Sequence, residues 1–266
     1  MRGVDSRRVT LSVVTSTASP KDRFVTVYGR KPVLEALSDL DLRVDKVIIA
    51  EGLRGPAIDE IKEAAADRAV KVQRASAHRV KVLAGNGRHD QGVLADVVAR
   101  KMRPLDDALE DPATAPRQVL LLDGLTTPAN VGMILRTATA AGIDGIVVPH
   151  RGVAALDPLV IKSSAGVAFH APVLRTRTAG DAAEQLSDAG YPLYALEAQG
   201  SESLFEADFG NRAAFVLGSE TAGLSEEVQT RIAQRLAIPM RGGVESLNVA
   251  SAAAVLCFEL LRRRGD

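Results

Sequence analysis

The chain of 266 residues has no tryptophan, three tyrosines, six phenylalanines and one cysteine, Cys257. A single cysteine excludes an internal disulfide framework and a cysteine-based metal cluster. With aromatics scarce, the core must be aliphatic, built from Ala, Val, Leu and Ile. No uninterrupted apolar stretch approaches the roughly 18 to 20 residues of a membrane-spanning helix. The N-terminus is basic and rich in Ser and Thr, without a secretory hydrophobic segment, so the chain reads as cytoplasmic. Net charge is missing too, with 33 basic residues against 33 acidic ones. Together with 46% hydrophobic residues, this excludes disorder for the bulk of the chain. Familiar chemical signatures are also absent. No G-x-G-x-x-G follows a strand and no G-x-x-x-x-G-K-[ST] occurs, which excludes a dinucleotide fingerprint and a P-loop. His78, His89, His150 and His170 show no ligand spacing and there is no H-E-x-x-H, so no metal is expected. Ser219 and Ser225 stand outside any G-x-S-x-G elbow, which argues against an α/β-hydrolase.

What is present is asymmetric. Residues 1–104 carry 20 basic and 13 acidic residues, and residues 105–266 carry 13 and 20. The first 31 residues alone hold 7 basic and 2 acidic ones. A basic N-terminal part on a neutral protein suggests a polyanionic partner, because Lys and Arg at phosphates release condensed counterions.

The chain divides into four parts. Residues 1–23 lack periodicity and read as a flexible basic arm. Residues 24–100 alternate strand and helix: FVTVYG, RKPVLEALSDL, VDKVIIAE, IDEIKEAAADRA, VKVQRAS, HRVKVLAG and GVLADVV. Residues 101–117, with three prolines and many charges, read as a linker. Residues 118–266 form a second alternating series whose strands are continuous apolar runs, the mark of a parallel sheet covered on both faces. Met133 and Cys257 read as packing residues, and His150 and His170 as structural or solvated.

Ligands of such sheets sit beyond the carboxyl ends of strands. Three strand ends of the second unit become polar, glycine-containing loops: LLLDGLTTPANVGMILRTA, FVLGSETAGLS and IPMRGGVESLNVASAAAV. In the first, Asn130 is placed to cap a helix that carries Arg136. In the second, Gly218, Ser219 and Glu220 close a strand and Gly223 permits a tight turn. In the third, Gly242 and Gly243 make the loop, Ser246 is placed to cap the last helix, and Asn248 falls in its first turn.

These segments resemble the three motifs of the SpoU/TrmH family of RNA ribose 2′-O-methyltransferases, in the SPOUT class. Asn130, Gly132, Ile134, Arg136 and Thr137 match the first motif. Gly218, Ser219, Glu220, Gly223, Leu224 and Ser225 match the second, and Ile238, Pro239, Met240, Gly242, Ser246, Leu247, Asn248 and Val249 the third. Thr221 stands where the second motif usually has Gly, and Ala250 where Ser commonly follows the third. Residues 24–100 resemble the substrate-binding domain that many members carry, a small ribosomal-protein-like α/β RNA-binding module. That resemblance places RNA contacts near Arg30, Lys31, Asn86, Arg88 and His89.

The resemblance implies a parallel-sheet methyltransferase domain with a C-terminal trefoil knot and S-adenosylmethionine bound at Gly218, Ile238, Met240 and Leu247. It implies catalytic roles for Asn130, Arg136, Glu220, Ser246 and Asn248, a homodimer in which the partner helps complete the site, and no membrane. The implied reaction methylates a ribose 2′-hydroxyl, with a guanosine of large-subunit ribosomal RNA as the target most like this domain arrangement. Arginine keeps its proton in proteins, so Arg136 is expected to grip a phosphate rather than act as a base. A tRNA or resistance-type ribosomal RNA methylase, an idle RNA-binding assembly factor and a nucleotide-dependent oxidoreductase are the competing readings.

Overall fold

The computed structural model describes residues 22–85 and 90–265. Most of the basic arm, and Asn86, Arg88 and His89, lie outside the described residues.

The N-terminal unit runs β1 (Phe24–Tyr28), α1 (Arg30–Ser38), β2 (Val44–Ala50), α2 (Pro56–Asp67), β3 (Lys71–Ala75), α3 (Ala77–Ala84) and β4 (Val93–Val98). Its sheet has the order β1-β4-β2-β3. β4 is antiparallel to β1 and β2, while β2 and β3 are parallel. Strand alternation decides the layers. Val25, Val27, Val47, Ile49, Val93, Ala95 and Val97 point towards α1 and α2. Tyr28, Ile48, Ala50 and Leu94 point the other way, towards Val80 of α3.

The second unit continues with β5 (Arg103–Pro104), α4 (Leu105–Leu109), β6 (Gln118–Leu122), α5 (Pro128–Ala140), β7 (Gly145–Pro149), α6 (Pro158–Ser163) and β8 (Val173–Thr176). Then come α7 (Ala179–Asp188), β9 (Leu193–Leu196), β10 (Glu202–Ser203), β11 (Ala213–Leu217), α8 (Glu226–Gln229), β12 (Ile232–Ala237) and α9 (Val249–Arg264). The eight strands lie in the order β10-β12-β9-β11-β6-β7-β8-β5. Every described pairing among them is parallel. Leu120, Leu122, Ile146, Val148, Phe215 and Leu217 pack beneath α5, α6 and α9, on one face. Val119, Leu121, Val147, Leu193, Ala214 and Val216 pack beneath α4, α7 and α8 on the other. Burial on both faces explains the unbroken apolar runs.

The segment expected to be a linker is partly built into this sheet. β5 pairs with β8 at its edge, and Leu105 and Ala108, one helical turn apart, are buried against α7. The two units also touch directly. Tyr28 Oη donates to Asp157 Oδ2 at 3.1 Å. Asp157 in turn caps α6 by accepting from the Leu159 and Val160 amides. His150, at the end of β7, bonds Asp22 through Nε2 at 2.8 Å. It meets the buried Arg175 through Nδ1 at 2.6 Å, so its reading as structural holds; His170 is exposed. Cys257 is fully buried and burial pushes its thiol up to about 12. Met133, expected to pack, is 40% exposed on α5.

The C-terminal end of α9 is locked by a charge cluster. Glu259, only 7% exposed, accepts from Arg262 Nε and Nη2 at 2.8 Å and from Arg263 Nε at 2.6 Å. Arg263 also donates to the carbonyls of Leu204 and Ala207 and lies over the Phe209 ring at 4.7 Å. It thereby ties the 204–209 stretch to α9. The Arg262 hydrogen bonds, reinforced by Arg263, outweigh burial and hold the Glu259 carboxyl down at about 2. Its unfolded value is roughly 4.3. The resulting stabilisation is therefore complete above that value and disappears as pH falls through the folded one. Glu259→Gln should melt below wild type at neutral pH, and the gap should close between about pH 4.5 and 2 in thermal scans. A gap that stays constant with pH would show that the cluster carries no linked protons.

Candidate active site

The order of the large sheet reverses between β6 and β11: the chain moves from β6 to β7 and β8, then crosses to build β9, β11 and β12 on the other side. At such a switch point the loops after adjacent strands separate and leave a crevice beyond their carboxyl ends. Here the loops after β6, β11 and β12 meet in it.

The meeting point is Asn248. Its Nδ2 donates to Glu220 Oε1 at 2.8 Å and to Asn130 Oδ1 at 3.1 Å. Its own Oδ1 accepts from the Ala250 amide at 3.0 Å. Glu220 Oε1 also accepts from the Val249 amide at 3.1 Å, so a carboxylate sits at the N-terminus of α9, where unpaired amides and the helix dipole favour it. Three residues, from the segments that follow β6, β11 and β12, thus form one hydrogen-bonded junction. Asn248 is itself the cap of α9, not a first-turn residue, and Ser246 lies exposed just before it. Asn130 is likewise not a cap. Thr127 occupies that position and Asn130 is buried within α5, 8% exposed, its side chain turned towards α9.

Beside the junction lies a cavity of about 250 Å³. Gly218, Ile238, Met240 and Leu247, the four residues expected to hold a cofactor, all line it, together with Ser246 and Glu220. Gly218 is required by close approach, since a Cβ there would come within 2.9 Å of the Gly223 carbonyl carbon. Ser219 and Gly223 exchange backbone hydrogen bonds of 3.0 and 2.9 Å, and Gly223 has φ 68°. Thr221 adopts no positive φ, so the loop closes without the glycine usual at that place.

Two contributors escaped sequence reasoning. Asp123, 5% exposed at the end of β6, accepts from the Ser225 amide at 2.6 Å and so ties the first loop to the second. The signal was an acid ending an apolar run. Glu197, just past β9, lines the cavity and pairs with Arg235 of β12. It marks a fourth strand end.

Arg136 is not brought to the junction. It lies six residues beyond Asn130, about 9 Å along the helix. There it shares the exposed side of α5 with Met133 and has no hydrogen bond or ion pair among the described residues. Of the expected RNA contacts, Arg30 opens α1 with its amide bonded to Gln91 Oε1 at 3.1 Å. Lys31 is exposed and 3.8 Å from Glu35.

This layout, a small apolar-walled cavity at a sheet switch point with an amide–carboxylate junction on its rim, defines a ligand-binding α/β enzyme class. Comparison narrows it. The sequence profile of the SpoU rRNA Methylase family matches residues 117–258, and that of RNA 2′-O ribose methyltransferase substrate binding matches residues 26–103. The chain belongs to the SpoU/TrmH family of RNA methyltransferases. A Staphylococcus saprophyticus protein assigned to the TrmH family of tRNA/rRNA methyltransferases is 33% identical over 90% of this chain and 96% of its own. A Staphylococcus aureus counterpart is 34% identical over the same shares. Among solved structures, a Porphyromonas gingivalis protein assigned to the TrmH family superposes with TM-score 0.60 at 29% identity, covering 91% of both chains. The SpoU methyltransferase AviRb from Streptomyces viridochromogenes, solved in complex with AdoMet, has TM-score 0.58 at 26% identity over 90% of both.

Replacing Asn248 separates its two jobs. Asn248→Ala removes the cap and should cost about 1 kcal/mol in denaturant unfolding. Asn248→Ser keeps a capping oxygen and should recover most of that stability. It cannot bridge Asn130 and Glu220, so methylation should stay about a hundredfold down. Recovery of both together would mean that only the cap matters.

Proposed function

We propose that this chain transfers a methyl group from S-adenosylmethionine to a ribose 2′-hydroxyl of RNA, with a guanosine of large-subunit ribosomal RNA as target. The observation that carries the reading is the Asn130–Asn248–Glu220 junction on the rim of the cavity lined by Gly218, Ile238, Met240 and Leu247. The cavity suits the donor: aliphatic and thioether walls offer an adenine a dry slot, and backbone groups at its glycine-bearing edge offer polar partners. When bound, S-adenosylmethionine supplies an electrophilic methyl group.

The residues of this chain position the acceptor. Asn248 and Glu220 hold the rim rigid, and Ser246, exposed beside them, is free to touch phosphate. Arg136 grips the target phosphate with its planar fork, which sets the 2′-oxygen in line. Its guanidinium stays charged, and phosphate or water takes the hydroxyl proton late.

Because Arg136 faces away from its own junction, the site is completed across a homodimer. Supporting this, α9 carries Ser251, Ala254, Val255, Phe258 and Leu261 along one side, with Ser251 exposed, Phe258 50% exposed and the other three half-buried. The 238–248 excursion and α9 are read as the knotted chain end. The resemblance carries that reading, and the bond from Asn248 to Asn130, 118 residues upstream, seats this end of the chain against α5.

Arg136→Lys keeps the charge but loses the fork, and kcat for methylation should fall about a hundredfold; near-normal turnover would defeat the positioning role. Phe258→Glu should convert a sedimenting dimer to monomer, whereas a wild-type monomer would remove the shared site. Mapping 2′-O-methyl positions across total RNA with and without the gene tests the target. Loss of one ribosomal guanosine is expected, and loss of a tRNA position would redirect it.

A further inference from the structure

The N-terminal unit carries a cationic surface that the expected RNA contacts do not include. Residues 68–85 contain Arg68, Lys71, Arg74, Arg79 and Lys81, with His78 and no acidic residue. The fold sorts these cations into two groups. Arg68 is used up internally, donating to the carbonyls of Ala36, Leu37, Asp39 and Leu42 at the end of α1. Arg74 donates to the carbonyls of Ala50 and Leu53. Lys71, Arg79 and Lys81 are exposed, and their side chains have no hydrogen bond or ion pair among the described residues.

The free group shares one side of the domain. β3 is the edge strand of its sheet. Lys71 and Ala75, four residues apart on a strand, point to the same face. Ala75 packs in the cluster of α3, so Lys71 lies on the sheet face that carries that helix, at the other end of the strand. On α3 only Val80 is fully buried. His78, Arg79, Lys81 and Val82 are turned outward, with Val82 56% exposed among the cations. Lys46, opposite Lys71 in the register, is already neutralised by Asp96 at 2.8 Å and contributes no free charge. Two exposed acids border this face: Glu51, its amide bonded to the Ala75 carbonyl at 2.8 Å, and Asp45, which lies 3.3 Å from Lys46 and is held by it.

Unpaired lysine and arginine side chains on one face of the domain, two of them on α3 beside the exposed Val82, suit a polyanion whose sugars offer apolar surface. We propose that β3 and α3 form a phosphate-tracking RNA surface, in which Lys71, Arg79 and Lys81 each contact the backbone without reading sequence. This rests on the reading of the chain as an RNA methyltransferase and adds where its substrate lies on the first domain.

The test is binding of full-length protein to poly(U), which carries no sequence information, as a function of salt. The triple variant Lys71→Gln, Arg79→Gln, Lys81→Gln should bind more weakly and lower the magnitude of the slope of log K against log salt by about 2, at roughly 0.7 for each phosphate no longer neutralised. A charge-matched control, Lys62→Gln with Arg177→Gln and Arg231→Gln, removes cations already paired with Asp59, Asp181 and Glu184, and its slope should stay near wild type. The conservative set Lys71→Arg, Arg79→Lys, Lys81→Arg should also keep the wild-type slope. Unchanged melting and S-adenosylmethionine affinity in the triple variant would show an intact fold. A wild-type slope in the triple variant, or an equal loss in the control, overturns this surface and leaves the methyltransferase reading standing. Failure of the wild-type protein to bind RNA overturns both.

Discussion

The junction at Asn248 is the contact on which the site depends. One amide side chain closes the start of α9 with its oxygen and joins Asn130 and Glu220 with its nitrogen. An amide can do this because it carries donor and acceptor on one planar group. A carboxylate would repel Glu220, and a hydroxyl is too short to span both partners. Since Asn130 and Glu220 belong to segments that follow different strands, the bond also sets the distance between those segments. The cavity behind it keeps its shape through the same contact.

That junction needs support from the sheet beneath. The reversal between β6 and β11 lets the loops part, and the buried Asp123 limits how far they part by holding the Ser225 amide. A buried carboxylate without partners would cost several kcal/mol, so the bond to the second loop is strongly favoured. On the helical side, α5 approaches α6 so closely that a Cβ on Gly132 would meet Ser163 Oγ at 1.9 Å. This packing fixes α5, and with it both the buried Asn130 and the outward Arg136. The opposite orientations of those two residues, six apart on one helix, are what the proposed homodimer would reconcile.

The two domains divide the work by charge and burial. The catalytic unit is acidic overall and buries its chemistry in a crevice, while the first unit, near neutral in total charge, displays unpaired cations on an edge strand and on the outer side of α3. Tyr28 and Asp157 join the two where α6 begins, next to the helix that carries Asn130. The first unit is thus held against the wall of the site.

Much of this was legible from residue order alone. Unbroken apolar runs announced a parallel sheet, because strands covered on both faces cannot alternate. Glycine-bearing polar segments around Asn130, Gly218 and Ser246 marked the strand ends that meet at one cavity, because crevices in such sheets open beyond the carboxyl ends of strands. Local roles were less legible. Thr127, not Asn130, stands at the N-cap position of α5, without a side-chain capping bond, and Asn248, not Ser246, caps α9, since a cap depends on which residue leaves helical geometry, and neighbours settle that. Residues 103–109, proline-flanked and charged, read as a linker although β5 completes the sheet edge. Composition along the chain therefore determined the fold class, the number of units and the three chemical loops. Only tertiary structure decided that Asp123 and Glu197 join the site, that Arg136 faces away from it, and which basic residues are free. Those outcomes depend on partners distant in sequence, and periodicity reports only the side a residue faces, not what it meets there.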